Sequence, residues 1–244
     1  MIPQICNKKI TANLSVAKKC ISVEVNTITW IGTFEGKTPA EIPPVKLAKE
    51  LIQKNQTVLL HIPGRNLNEK MALDVLNYVK DIGVRNILAL KGQSTLIKEK
   101  DDTKVDFPYA SNFVEFIKKN FDDCFAVGVA GYPEMHPASN NFEEDMKYLK
   151  LKVSSGADFI LTQASFQYSA YEEFYERCYA YSIFVPIFLG LAPLNSWQQM
   201  NVLKNFCKIS MSIEIYEFVE KNREQEEAIQ IYGKKILLEM SEKF

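Results

Sequence analysis

The sequence predicts a parallel α/β fold built from repeated βα units. Six apolar, β-branched runs recur along its 244 residues. Between them lie stretches whose apolar residues follow helical spacing. The interval from one strand to the next is roughly 30 residues, the length of a βαβ unit. A hydrophobic content of 47% suits one sizeable core, and the expectation is a single domain over residues 1–244.

Strands are expected at 21–30 (ISVEVNTITW), 57–62 (TVLLHI), 86–91 (NILALK), 125–131 (FAVGVAG), 158–164 (DFILTQA) and 184–191 (FVPIFLGL). Their near-continuous apolar character fits strands covered on both faces. Helices are expected at 44–54, 68–82, 109–120, 141–155, 169–180 and 195–206. Gly83 and Gly156 follow two of them, where a left-handed cap suits glycine. Asn195-Ser196 stand where an N-cap belongs. Residues 212–242 read as two helices with no strand after them. Two architectures fit: a (β/α)8 barrel with degraded ends, and an open doubly wound sheet. No G-x-G-x-x-G follows the first strand, which weakens the second.

Composition excludes several classes. With 29 basic and 30 acidic residues the formal charge is −1, so no basic field invites nucleic acid. No apolar run approaches the ~20 residues of a membrane span. Cys6, Cys20, Cys124, Cys178 and Cys207 form no C-x-x-C pair, which argues for reduced thiols in an intracellular compartment; the cytoplasm is expected. The first twenty residues hold Lys8, Lys9, Lys18 and Lys19 and no acid. A surface helix with a lysine face is the preferred reading; a mitochondrial leader is the alternative. His61 and His136 are the only histidines, too few for a His-built metal site.

The chemistry concentrates in VAGYPEMHP at 129–137 and GADFILTQ at 156–163. Each is a buried strand that runs into a polar end, where parallel α/β folds place ligands. Between them, Asp145, Tyr148 and Lys152 lie at i, i+3 and i+7, on one helix face. Lys152 can neutralise phosphate, and Asp145 can accept hydrogen bonds from sugar-like hydroxyls. The plain alternative is a solvated face with a loose charge pair.

These segments resemble the methylenetetrahydrofolate reductase family. Matching stretches occur in order and at family-like spacing: TITW at 27–30, His61, NILALKGQ at 86–93, PYAS at 108–111, VAGYPEMHP, GADFILTQASF at 156–166, PIFLGLAPLNSWQQ at 186–199 and AIQIYG at 228–233. The resemblance implies a (β/α)8 TIM-type barrel with FAD at its C-terminal mouth, here incomplete or degraded at its first and last strands. It implies hydride transfer from NADH or NADPH through the flavin to methylenetetrahydrofolate. By residue-for-residue match, Asp145, Tyr148 and Lys152 would grip the flavin's ribityl-diphosphate part. Ala130, Tyr132 and His136 would line or contact the flavin, as would Tyr109 and Ala110. His61, Lys91 and Gly92 match further cofactor positions. Gln93, Gln163 and Gln199 match folate-side positions.

Three departures bear on catalysis. The family's general-acid glutamate lies in an F-E-F-F-P-P type motif on its first strand; counting back from Trp30 puts that strand near or before Met1, and no catalytic residue is assigned. Lys91-Gly92-Gln93 stands where the family has R-G-D, so Gln93 brings no charge. The family's last strand would follow residue 240. The resulting expectation is a flavin-binding relative with impaired turnover, whose exposed strand edges are covered by a protein partner or a second copy. The alternative function is a pseudoenzyme subunit of a larger assembly.

Overall fold

The computed structural model describes residues 5–11, 22–28, 37–92, 105–205 and 207–243. In chain order the elements are β1 (Ile5–Thr11), β2 (Ser22–Ile28), α1 (Pro43–Gln53), β3 (Thr57–Pro63), α2 (Glu69–Asp81), β4 (Asn86–Leu90), α3 (Ala110–Phe121), β5 (Ala126–Gly131), α4 (Phe142–Ser154), β6 (Phe159–Thr162), α5 (Tyr168–Ala180), β7 (Ile187–Phe188), α6 (Trp197–Asn205), α7 (Ile213–Lys221) and α8 (Glu226–Ser241). The strands form one sheet in strictly sequential order, β1 to β7. β2–β3, β3–β4, β4–β5 and β6–β7 pair in parallel. A doubly wound sheet reverses its strand order at a switch point, and this one does not. The fold is therefore α/β with the arrangement of an incomplete (β/α)8 barrel.

The chain divides into two compact units. The first comprises Met1–Ala130, Leu149–Leu161 and Val185–Phe188; the second comprises Gly131–Tyr148, Thr162–Phe184 and Leu189–Phe244. In the first, consecutive residues Val58, Leu59 and Leu60 of β3 and Ile87, Leu88 and Ala89 of β4 are all buried. Neighbouring side chains on a strand point to opposite faces, so both faces of these strands are covered. Ala48 of α1, Leu76 of α2 and Phe113 of α3 belong to the same core. In the second unit, Leu194, Met200, Ile215, Val219 and Ile229 form a separate cluster. There Phe218 of α7 stacks on Tyr232 of α8 at 4.0 Å.

Local chemistry sets the helix ends. Asn68 caps α2 by accepting from the Met71 N–H at 2.8 Å. Gly83 and Gly156 follow α2 and α4 at φ +98° and +107°, values suited to glycine. Ser196 caps α6, accepting from the Gln199 N–H at 3.1 Å.

Two expectations need correction. The N-terminal lysine-faced helix is, over Ile5–Thr11, a strand antiparallel to β2, with Lys8 opposite Val25 and Lys9 opposite Glu24. Ile5, Ile10 and Thr11 are β-branched, and a full ladder against β2 outweighs a short isolated helix. Lys18, Lys19 and Trp30 lie outside the described residues. The strand expected at 184–191 shortens to Ile187–Phe188. Pro186 has no N–H to donate and only accepts, from Ile160 N–H at 2.9 Å. The Gly190 N–H donates to the Thr162 hydroxyl at 2.9 Å rather than to a strand carbonyl.

A Cβ at Gly190 would collide with the Thr162 carbonyl, a backbone atom with nowhere to turn. Gly190→Ala is expected to lose about 1–3 kcal/mol of stability, measured by urea unfolding; an unchanged midpoint would refute the close approach.

Candidate functional site

β5 ends at Gly131, and the chain turns at once into Tyr132-Pro133-Glu134-Met135-His136-Pro137. Met135 takes a left-handed φ of +75°, and its N–H donates to the Tyr132 carbonyl at 3.1 Å. This tight turn brings the Tyr132 and His136 rings edge to face, 4.5 Å between centroids. The Ala138 N–H donates to His136 Nδ1 at 3.0 Å. That bond assigns the neutral ring's proton to Nε2 and makes it a donor.

Asp145 organises this loop. It is 8% exposed, on the first turn of α4. Its Oδ2 accepts from the His136 N–H and its Oδ1 from the Ser139 hydroxyl, each at 3.3 Å. A buried carboxylate is tolerable because it is hydrogen-bonded and sits at a helix N-terminus. Burial, with a smaller contribution from the Asp145 charge, pushes the Tyr132 phenol up to about 12. Tyr132 therefore stays a neutral donor at ordinary pH. Tyr148, half-exposed on α4, donates to Glu144 at 3.4 Å.

In the other unit, Lys152 donates from Nζ to the Ala130 carbonyl at 2.6 Å. It is half-buried, not the solvated lysine of a loose charge pair. Lys91 follows β4 and lies 5.0 Å from the centroid of the Tyr109 ring. Its carbonyl accepts from the Arg65 N–H at 3.0 Å. Gly92 has φ +85°, and a Cβ there would stand 2.8 Å from the Pro63 Cβ, so both backbone and space demand glycine. Tyr109 precedes α3 and is half-exposed, and Ala110 opens that helix. His61 lies on β3 opposite Leu88, half-buried. Gln93 lies outside the described residues.

Gln163 directly follows β6, half-buried, with its N–H donating to the Gly131 carbonyl at 2.8 Å. Gln199 Oε1 accepts from the Asn195 N–H at 2.8 Å, so its amide oxygen helps cap α6. Several neighbours went unnoticed in the sequence. Glu134 accepts from Ser165 and Ser210, and Arg177 donates to the Pro133 carbonyl at 2.8 Å. Trp197, beside Gln199, packs half-buried on the second unit's core. For Glu134 a signal existed: it stands inside the Y-P-x-x-H-P stretch at a position that the pattern leaves open.

The family profile of methylenetetrahydrofolate reductase matches residues 17–244. The chain belongs to the methylenetetrahydrofolate reductase family. Among curated relatives, methylenetetrahydrofolate reductase 1 of Schizosaccharomyces pombe is 30% identical over 220 residues, covering 88% of this chain and 35% of the relative. The probable NADH enzyme of Oryza sativa is 31% identical, covering 76% and 33% respectively. The probable NADPH enzyme of Caenorhabditis elegans is 29% identical, covering 87% and 32%. The chain thus spans about a third of the length of the curated relatives it matches. A solved Clostridium thermocellum protein, described as binding two copies of 5-methyl-5,6,7,8-tetrahydrofolic acid, is 15% identical with a TM-score of 0.47, covering 89% of this chain and 81% of that one; this likeness is too low to carry function. Among the described residues no helix is long and apolar enough to cross a membrane.

Because the folded chain raises Tyr132 from 10.0 to about 12, folding favours the neutral phenol. That contribution is fully present below the unfolded value and is lost as pH rises through the folded one. Tyr132→Phe should flatten the alkaline loss of stability between about pH 10 and 12, read by denaturant midpoints across pH. An identical slope in the variant would contradict the buried phenol.

Proposed function

We propose that this chain, as one barrel-type domain over residues 1–244, binds FAD and takes part in the NADH- or NADPH-dependent reduction of methylenetetrahydrofolate to methyltetrahydrofolate. The carrying observation is the Tyr132–His136 loop anchored on buried Asp145, within a family match that runs from residue 17 to 244. The NADH and NADPH in two relatives' names support the nicotinamide reductant.

The residues fit a flavin nucleotide. Ala130 leaves room for a planar ring, and Tyr132 offers an aromatic surface with a neutral hydroxyl. His136 Nε2–H is a donor for the ligand's carbonyl or hydroxyl groups. Lys152 supplies the cation for a diphosphate, beside the carbonyl it already meets. Asp145 braces the loop first; each carboxylate oxygen keeps a second lone pair for a polyol hydroxyl. Lys91, Gly92, Tyr109 and Ala110 supply a further cation, a close backbone approach and an aromatic rim; His61 and Tyr148 are assigned by match alone. When bound, FAD supplies the hydride relay between nicotinamide and folate.

Gln163 can pair with both donors and acceptors on a pterin edge. Gln199, its amide oxygen engaged in the α6 cap, would offer its NH₂. Gln93 would do the same without the charge that the family's Asp carries. No residue of this chain is assigned as proton donor for opening the folate ring, and loss of a general acid costs ~10²–10⁴ in rate. The 244-residue chain alone is therefore expected to bind flavin and turn over poorly. The outer edges of β1 and β7 meet no further strand among the described residues, which supports a partner or second copy there. The unclustered cysteines support a reducing compartment, cytoplasm or mitochondrial matrix.

Purified chain titrated with FAD should turn yellow and hold the flavin through gel filtration. Lys152→Met should weaken binding by about tenfold or more, as expected for removing a charged hydrogen bond. A chain that takes up no FAD rejects the reading. Mixing the loaded chain with NADH or NADPH and methylenetetrahydrofolate tests the impairment, and brisk turnover would overturn it.

A further inference from the structure

Both carboxylate oxygens of Glu134 are bonded within the protein. Its Oε1 accepts from the Ser165 hydroxyl at 2.6 Å, and its Oε2 from the Ser210 N–H at 2.8 Å. The first distance is that of a charge-assisted bond. Ser165 is 2% exposed, and its hydroxyl also accepts from the Gln167 N–H at 3.0 Å. The Ser165 N–H donates to the Tyr171 hydroxyl at 2.7 Å, which in turn donates to the Gly190 carbonyl at 2.6 Å. Two charged side chains therefore hold the loop from outside, and a third reaches out of it. Arg177 of α5 holds Pro133, Asp145 of α4 holds His136, and Glu134 reaches out to Ser165 and Ser210. Of the three, Glu134 alone joins the loop to the segment that carries Gln163.

We propose that Glu134 and Ser165 form a positioning pair. It fixes the flavin-side residues Tyr132 and His136 relative to Gln163, two residues before Ser165, on the folate side. This rests on the flavin reading above. The role assigned to the pair is support: each Glu134 oxygen is bonded within the protein, and the Ser165 hydroxyl is buried against it. The pair acts by geometry. Without it, the loop keeps its Asp145 and Arg177 anchors, and the Gln163 N–H keeps its bond to the Gly131 carbonyl, but the turn beyond Gly131 loses its side-chain tie to the segment after Gln163. Catalytic and binding groups need support of this kind to hold their positions within fractions of an ångström.

The test compares wild type, Glu134→Gln, Ser165→Ala and the double variant in the full chain. The readouts are FAD affinity, visible circular dichroism of the bound flavin, and thermal melting. Each single change should weaken FAD binding by about tenfold, the worth of a hydrogen bond to a charge. Each should also move the flavin's visible signal toward that of the free cofactor. The double variant should bind no more weakly than the weaker single, as expected for two members of one interaction. Wild-type affinity and signal in the variants, even with lower melting temperatures, would reduce the pair to a structural tie and overturn the inference. Additive losses would overturn it too. A wild type that binds no FAD overturns the flavin reading and this inference with it; variants that match a flavin-binding wild type overturn the inference alone. Should Glu134→Gln not fold, Ser165→Ala, which removes a single oxygen, decides.

Discussion

Burial on both faces of the parallel strands is the constraint from which the rest follows. Val58, Leu59 and Leu60 of β3, and Val127, Gly128 and Val129 of β5, leave no strand face open to water. Polar chemistry is thereby driven to the strand ends, where the backbone leaves the sheet. Lys91 comes directly after β4, Tyr132 after β5 and Gln163 after β6. His61 is the exception, within β3 itself.

A polar loop at a strand end needs its own scaffold, since the sheet no longer supplies hydrogen bonds. Here charged side chains provide it. Asp145 holds the His136 amide, Arg177 holds the Pro133 carbonyl, and Glu134 ties to Ser165 and Ser210. Each charge is matched by partners, so burial does not leave an isolated ion. Arg177 adds a stack on the Phe142 ring at 4.1 Å. The loop thus has a fixed shape before any ligand arrives, which lowers the ordering cost of binding.

Asp145 and Lys152 illustrate how one sequence signal can carry two roles. Their spacing suggested a ligand-facing helix side. Their first partners are instead backbone groups, the His136 N–H and the Ala130 carbonyl respectively. A carboxylate and an ammonium each have capacity for more than one bond, so bracing and ligand contact are compatible. The same holds for Gln199, half engaged in a helix cap.

Period and punctuation made the helices legible. The first six arise within a residue or two of their sequence positions, the last two fall within the stretch 212–242, and Gly83, Gly156 and Ser196 end or cap helices as expected. These are local effects, governed by residues a few positions apart. The sequence by itself also determined the βα alternation and the motif that belongs to the methylenetetrahydrofolate reductase family. Tertiary structure alone decided pairings between distant residues. It turned Ile5–Thr11 from a supposed helix into an edge strand, because the ladder along β2 is a long-range partner that local propensity does not contain. It cut β7 to two residues, because Thr162 takes the Gly190 N–H. And it gave Glu134 its meaning: a glutamate in a loop is unremarked until folding brings Ser165 and Ser210, 31 and 76 positions away, to its two oxygens.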